Sequence, residues 1–458
     1  MLRSMYSGVS GLKTHQTKMD VIGNNIANVN TVGYKSQSIT FSDLMYQTQQ
    51  AASGANASTG TGGTNARQIG LGVVYGAIGT SITTAGATQT TGNPFDLRIT
   101  GDSFFIVSNG NGNYFTRAGA FGVDGAGNLV MSTTGYNVMG WGVDPMDETV
   151  IQKDTVQPLR IMTGANMTSN PEPTTLARMN GVLDKFNPNV NSADGAVVTL
   201  EFYDNLGYSY TARFAITADD VDAGEYTMTL KEILDSDGNK LGTDGVTFGG
   251  TGLSQKVTFN PSTGLLDEIT GGIADPDNDN KLSSIVLDVS NLKLGDDVRG
   301  NFNAITIDMS ASKMFDNEGQ TTLSLLPGDE KNIGKGKPLG TMSGVSIQPN
   351  GMIYATYTNG NTKLLGQIAV AAYANAMGLE KVGDNLYAAT LNSGEFDGIG
   401  VDITANGGSM TTGVLEMSNV DLSTEFTEMI VAQRGFQANS RIITTSDSLL
   451  EELINLKR

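Results

Sequence analysis

The chain has 458 residues, 28 basic and 47 acidic side chains for a formal charge of −19, and no cysteine. That length exceeds what one core ordinarily fills and points to two to four domains. The acidic balance excludes a nucleic-acid binder, which needs a basic patch, and the missing thiols exclude both a disulfide framework and a cysteine nucleophile.

Residues 1 to 26 open the chain with Leu2, Met5, Val9, Leu12, Gln16, Met19, Gly23 and Ile26 stepping by three and four, the spacing of a heptad seam. The stretch MLRSMYSGVSGLKTHQTK has no apolar core of the kind a secretory signal carries, and no apolar run is long enough to span a bilayer. Neither membrane insertion nor a cleaved signal is therefore expected. An Asn-rich turn follows. Residues 36 to 46 mix Ile39, Phe41, Leu44 and Met45 with polar residues, as a partly ordered connector would. Residues 51 to 68, AASGANASTGTGGTNARQ, are small and polar and read as a flexible linker.

From about residue 70 the pattern changes to β-branched residues between glycines, the start of a strand-rich domain. Phe104-Phe105-Ile106-Val107 reads as a fully buried strand, and Val123 to Leu129 as a hairpin loop. Between about 161 and 329 the β signal is plainest. Val198, Leu200 and Phe202 alternate with polar neighbours, the loop Asp204 to Gly207 follows, and Tyr208, Tyr210, Ala212, Phe214 and Ile216 alternate again before Tyr226, Met228 and Leu230. These predict antiparallel hairpins of a sandwich or barrel, in one domain or two.

The last stretch, 415 to 458, mirrors the first. Leu422, Phe426, Met429 and Phe436 lie on one helical face with Gln433, and Ile442, Leu449, Leu453 and Leu456 continue a stripe whose phase slips by one residue. Asp421 or Ser423 can cap its start. The two ends are nearly neutral, with four basic and two acidic residues in 1–50 and four basic and seven acidic in 415–458, so the negative charge lies in the middle. That suits ends that pack together and domains that face water. Spacing alone leaves two readings open: two core helices of one globular domain, or a coiled coil of the termini whose polar breaks favour contacts with other subunits.

Sequence motifs separate these readings. MLRSMYSGVSGLK and NNIANVNTVGYK (Asn24 to Lys35) resemble the amino-terminal signature of the flagellar rod and hook proteins, within which Asn24, Asn25, Asn28, Gly33 and Tyr34 belong to the motif. The resemblance continues through TGNPFDLRITGDSFFIV, with Asn93, Pro94 and Asp96, then through YFTRAGAFGVDGAGNLVMSTTGYNVMGW and AVAAYANAMGLEKVGDNLYAAT, and ends in VAQRGFQANSRIITTSDSLLEELINLKR. It covers roughly residues 1–160 and 330–458. Ala376 stands where the family often has Pro, and Ser103 where it often has Gly, which bears on local loop shape only.

The resemblance implies a fold that is mainly β with α-helical termini. The end helices would form a coiled-coil-like core domain (1–70 and 413–458), followed by a discontinuous β domain (71–160 and 330–412) and an inserted outer β domain (161–329). Both β domains are expected to be antiparallel and sandwich- or barrel-like, nested by insertion. It implies no enzyme and no cofactor, but many copies stacked in a helical tube, with Leu2, Met5, Val9, Leu12, Met19, Ile26, Leu422, Phe426, Met429, Phe436, Ile442, Leu449, Leu453 and Leu456 at subunit contacts. The implied task is the hook's, a curved universal joint between rod and filament. Its partners would be the distal rod protein, the hook cap and the hook–filament junction proteins. Its route out of the cell would be the flagellar type III export apparatus, and its place extracellular. A distal rod subunit and a secreted β-rich binding protein are the alternatives; the 161–329 insertion disfavours the first and the Asn24–Lys35 motif the second.

Chemistry is sparse. The acidic loops 235–240 and 275–281 lack the sixth-position Gly and twelfth-position Glu of a calcium-binding EF-hand loop. His15 is the sole histidine, no GxSxG elbow accompanies it, and no pair of carboxylates stands out as a glycosidase would require. Trp141 reads as a core residue.

Overall fold

A computed structural model describes residues 2–54, 60, 62–250, 252–274, 282–293 and 301–456. Among them the chain is mainly β with one long helix at each end, α1 (Leu2–Ala27) and α2 (Leu422–Asn455). It divides into two compact units, one of Met1–Asn166, Val345–Ala355 and Lys363–Arg458, the other of Met167–Gly344 and Thr356–Thr362. The return from the second unit thus falls near 344 rather than 330. Residues 330–344 stay with that unit because Glu172 and Lys337 exchange backbone hydrogen bonds of 3.0 and 2.8 Å, and the Thr174 hydroxyl donates to the Lys335 carbonyl at 3.0 Å.

In the first unit α1 and α2 run antiparallel. α1 carries Gly8, Gly11 and Gly23, each costing roughly 1 kcal/mol of helix propensity, so packing rather than propensity sustains it. α2 starts where the Asp421 carboxylate accepts from the Ser423 amide (2.9 Å) and the Thr424 hydroxyl (3.0 Å). Between α1 and the β body a two-stranded ribbon rises. β1 (Gln37–Asp43) pairs with β4 (Val73–Thr80), and β2 (Tyr46–Gln50) pairs with β3 (Arg67–Gly70). A bridge at Ser53 and Thr64 extends it. The described part of the segment expected to be a connector and flexible linker is therefore paired as strands, the rest of that linker (55–59 and 61) lies outside the described residues, and residues 73–80 are a strand of the ribbon rather than the start of the β body. The error has a physical origin: strand partners about 35 residues apart leave no mark in local composition.

The β body of this unit is built on Phe104–Ser108, flanked by Asn113–Thr116 and Asn137–Trp141. Phe104 to Val107 are wholly buried, as the sequence predicted, because both faces of this strand are covered: Phe105 and Val107 pack with Leu97, Ile99 and Phe121, while Phe104 and Ile106 pack with Phe115 and Trp141. The Trp141 indole donates to the carbonyls of Asp154 (3.0 Å) and Ile399 (2.9 Å), so its one polar atom is satisfied inside the core.

A loop beside it carries a charge worth testing. Burial works against ionisation of Asp402, but hydrogen bonds from Lys153 (2.8 Å), the Thr404 amide (3.0 Å) and hydroxyl (2.8 Å), and Gln367 (3.2 Å) outweigh it and hold the carboxyl at about 2. A depressed carboxylate stabilises the fold above its unfolded value near 3.8 and loses that contribution as the pH falls through 2. Asp402→Asn should therefore remove on the order of 2 kcal/mol at pH 6 and little at pH 2. Denaturant titrations at the two pH values check this; equal losses at both would contradict it.

The second unit has two sheets on one apolar core. Ala196–Tyr203, Ser209–Asp220, Glu225–Leu234, Ser254–Phe259 and Leu266–Ile269 follow one another antiparallel. Val198, Leu200, Phe202, Phe214, Tyr226 and Met228 face inward, as their alternation predicted, and share one cluster with Met179, Ile285 and Ile307 of the other sheet. That other sheet is mixed, not antiparallel throughout: Leu176–Leu183 runs parallel to both Ile305–Asp308 and Ser312–Met314. A single core spanning both sheets makes the insertion one packed body rather than two.

Candidate assembly surface and motif junction

The residues that join α1 to α2 form a strict series. Ser4, Gly8, Gly11, His15, Lys18, Ile22 and Asn25 step by four and three, and so do Glu425, Met429, Ala432, Phe436, Asn439, Ile443, Ser446 and Leu450. Their pairing is read from contacts: Ser4 with Ser446 (3.3 Å between hydroxyls) and Asn25 with Glu425 (2.9 Å), with Lys18 reaching Glu428 beside the α2 series at 3.1 Å. A Cβ on Gly8 would lie 3.1 Å from Ile443, one on Gly11 2.7 Å from Asn439, and one on Gly435 2.6 Å from the His15 ring. The backbones approach through these notches. His15 is a packing residue there, edge-on to Phe41 at 5.7 Å.

This seam is not the apolar stripe of the sequence. Val9 and Leu12 stand one residue, about 100°, further round α1, and Met5, Met19 and Ile26 keep the same one-residue offset from Ser4, Lys18 and Asn25. On the seam's other side the ribbon lies against α1, where the Ser10 hydroxyl accepts from the Val73 amide at 3.3 Å and Thr14 is buried. Val9 therefore stays 54% exposed, while Met5, Leu12, Met19 and Ile26 are half-buried; the Leu2 side chain lies outside the described residues.

On α2, Met429 and Phe436 belong to the seam and are half-buried. Leu422 and Phe426 (50% exposed) flank it on one side, and Ile442, Leu449 and Leu453 on the other. The apparent slip of phase in the sequence is this change of flank. Leu456, at the end, is exposed.

The motif residues build the junction where both helices meet the β body. Asn25 is buried with its amide fully used: it donates to the Gln37 carbonyl (2.8 Å) and Glu425 (2.9 Å), and accepts from the Gln37 amide (2.9 Å) and the Tyr34 hydroxyl (3.2 Å). Burial raises the Glu425 carboxyl, an effect the Asn25 bond partly offsets, and burial followed by Glu425 raises the Tyr34 phenol. Asn24 donates to the Tyr34 hydroxyl at 3.2 Å, and Asn28 donates back to the Asn24 carbonyl at 2.9 Å, closing the end of α1. Gly33 has φ +69°, and a Cβ there would sit 2.7 Å from the Ala118 amide nitrogen, so the position requires glycine. Asn93, Pro94 and Asp96 form a separate turn, in which Asn93 accepts from the Phe95 amide (3.3 Å) and the Asp96 carbonyl accepts from Gly413 (2.9 Å).

Sequence reasoning missed the buried charges at this junction. The Lys35 ammonium donates to Glu416 and to the Thr84 carbonyl, both at 2.7 Å, and the Arg117 guanidinium lies 4.0 Å from the other Glu416 oxygen and 4.9 Å over the Phe104 ring. Burial lowers the affinity of Lys35 and Arg117 for their protons, and Glu416 only partly restores it. A lysine and a glutamate 381 residues apart give no local signal.

Elsewhere, the loop at Asp235 has its carboxylate occupied by the amides of Asp237 (2.9 Å) and Asn239 (2.8 Å), which is turn chemistry. The loop 275–281 lies outside the described residues. Among the described residues no group of three or more His, Cys, Asp or Glu side chains is placed to hold a metal ion, and no helix is long and apolar enough to cross a membrane.

Comparison with known proteins agrees with the position of the motifs. The family described as "Flagella basal body rod protein" matches residues 5–35, "Flagellar hook protein FlgE/F/G D1 domain" residues 98–168, and "Flagellar basal body rod FlgEFG protein C-terminal" residues 411–456. The flagellar hook protein FlgE of Borreliella burgdorferi is 37% identical over 475 residues and that of Treponema pallidum 35% identical over 491, each with 100% of both chains covered. The flagellar basal-body rod protein FlgG of Bacillus subtilis is 31% identical over 458 residues, also at 100% of both. With matches at both ends, in the β body and along its whole length, the chain belongs to the flagellar hook protein family.

Proposed function

We propose that this chain is the structural subunit of a bacterial flagellar hook, polymerising into a curved helical tube that serves as a flexible universal joint. The observation that carries this reading is the division of labour on the terminal helices. Their mutual seam is made largely of small and polar residues, while Val9, Leu422, Phe426, Ile442, Leu449 and Leu453 remain exposed beside it. A helix pair that leaves its most apolar residues in water gains by burying them against further copies. Copies related head-to-tail without closing make a helix, and the helices would form its inner, coiled-coil-like layer. The β body and the second unit would be the outer layers, whose polar contacts can slide as the tube bends.

Membership of the hook family adds the setting: a place between rod and filament, contacts with the distal rod, cap and junction proteins, and passage through the flagellum's own export apparatus to the cell exterior. A rod subunit is the second reading; the rod match spans 100% of both chains, so the 161–329 segment does not separate the two as the sequence suggested, and what disfavours it is 31% identity against 37% and 35% to the two hook proteins.

The test is assembly. Val9→Asp and Phe426→Asp each place a charge on a surface that is wet in the free subunit and dry in the tube. Desolvation of roughly 3 kcal/mol should raise the critical concentration for polymerisation about a hundredfold and leave the unfolding of the subunit nearly unchanged. Sedimentation of polymer from monomer measures it; normal assembly by both variants would overturn the assignment of these faces.

A further inference from the structure

We propose that Lys35, Glu416 and Arg117 act as a clasp that fixes the direction in which the terminal helix pair leaves the β body, and so sets the twist at which copies stack; this rests on the hook reading above. Three chain segments of different origin meet at this point. Gly33 to Lys35 is the path leaving α1, Glu416 is the path entering α2, and Thr84, Gly86 and Arg117 belong to the β side.

One atom of the Glu416 carboxylate is hydrogen-bonded from two sides, and the other makes no hydrogen bond among the described residues and has Arg117 4.0 Å away. Oε1 accepts from Lys35 (2.7 Å) and the Gly86 amide (2.9 Å), and Oε2 faces Arg117. Backbone contacts brace the same point: the Gly33 amide donates to the Glu416 carbonyl at 2.8 Å, the Lys381 ammonium donates to the Lys35 carbonyl at 3.1 Å over the Tyr34 ring, and the Asn385 amide donates to the Val32 carbonyl at 3.0 Å. The Lys35, Glu416 and Arg117 side chains are at most 2% exposed.

Two cations share one carboxylate here, with Arg98 close enough to act on both. Such an arrangement is a poor source of stability, because desolvating the ions costs as much as their attraction returns. It is a good source of direction. Charge-assisted hydrogen bonds are short and angular, and an apolar contact in the same place would tolerate rotation that these do not. An error of a few degrees where the helices emerge is repeated at every copy of a tube.

The test compares tubes grown from the full-length chain and from Lys35→Met/Arg117→Met/Glu416→Met, which replaces all three ions by apolar side chains so that no buried charge is stranded. The triple variant should unfold within a few degrees of the parent and still polymerise, but its tubes should differ from one another in helical twist and lose uniform curvature, as scored by electron microscopy and helical reconstruction. Tubes with the parental twist would overturn the proposal and reduce the cluster to a buried polar filling. If the triple variant does not fold, Lys35→Arg decides instead, since it keeps the charge and changes only the shape of the clasp; parental twist from that variant would also overturn it. Failure of the parent chain itself to form tubes would count against the hook reading rather than the clasp.

Discussion

Excising residues 170–339 and joining Ser169 to Gly340 through a short Asn-Gly turn is expected to give a chain that folds, polymerises and yields straight or weakly curved tubes. The cut is chosen on pairing. Thr168 lies opposite Thr341 and Ser169 opposite Gly340 in an antiparallel ladder, so the two ends of the excision are neighbours and a two-residue turn closes them as a hairpin. The removed segment takes its own core with it, including Phe202, Phe214, Tyr226 and Ile285, and leaves untouched the clusters around Phe105 and Trp141. Bending needs outer layers that make different lateral contacts on the two sides of a curve, and the excised body is the candidate for that layer. Micrographs scored separately for tube formation and curvature decide: normal curvature would make the segment mechanically silent, and absence of tubes would place assembly outside the terminal helices and the first unit.

A second large effect is expected at Glu416. Glu416→Ala strands Lys35 and Arg117 as buried cations facing each other, and breaking a buried pair in this way costs about 3–5 kcal/mol. In denaturant melts the Glu416→Ala loss should far exceed that of Lys35→Met/Arg117→Met/Glu416→Met, since ΔΔG values in one network do not add. A single-variant loss below about 1 kcal/mol would mean that water reaches the site and screens it.

What the sequence disclosed depended on how far apart the cooperating residues lie. Alternation at Val198, Leu200 and Phe202, the buried run Phe104 to Val107, the Asp421 cap and Trp141 were all legible, because burial on one face or a cap within a turn is a local property. The face α1 turns to α2 was not, since its residues include Gly8, Gly11, His15 and Asn25, which apolar periodicity passes over in favour of Val9 and Leu12, whereas Met429 and Phe436 on α2 stood in the apolar stripe. The ribbon was misread as connector and linker for the same reason: Thr48 and Gln68 are a cross-strand pair with no apolar signature. The motif residues were recognised by resemblance, and the physical need for glycine at 33 emerges only when Ala118 is seen against it.

The pairing of Asn25 with Glu425 spans 400 positions of the chain and therefore orders events in time. Closing a loop of that length from an unstructured chain costs about 5 kcal/mol of entropy, and contacts of such sequence separation form late. The hairpins between them, such as Ala196–Tyr203 with Ser209–Asp220, close over a handful of residues and can precede it. The helix pair is then the last part to form, and it cannot form until residue 455 is present and free. Under the proposed export route, a subunit arriving end-first through a narrow passage would hold α1 unpaired until α2 had cleared it, and the surface proposed to join one copy to the next would mature only at the place where it is used.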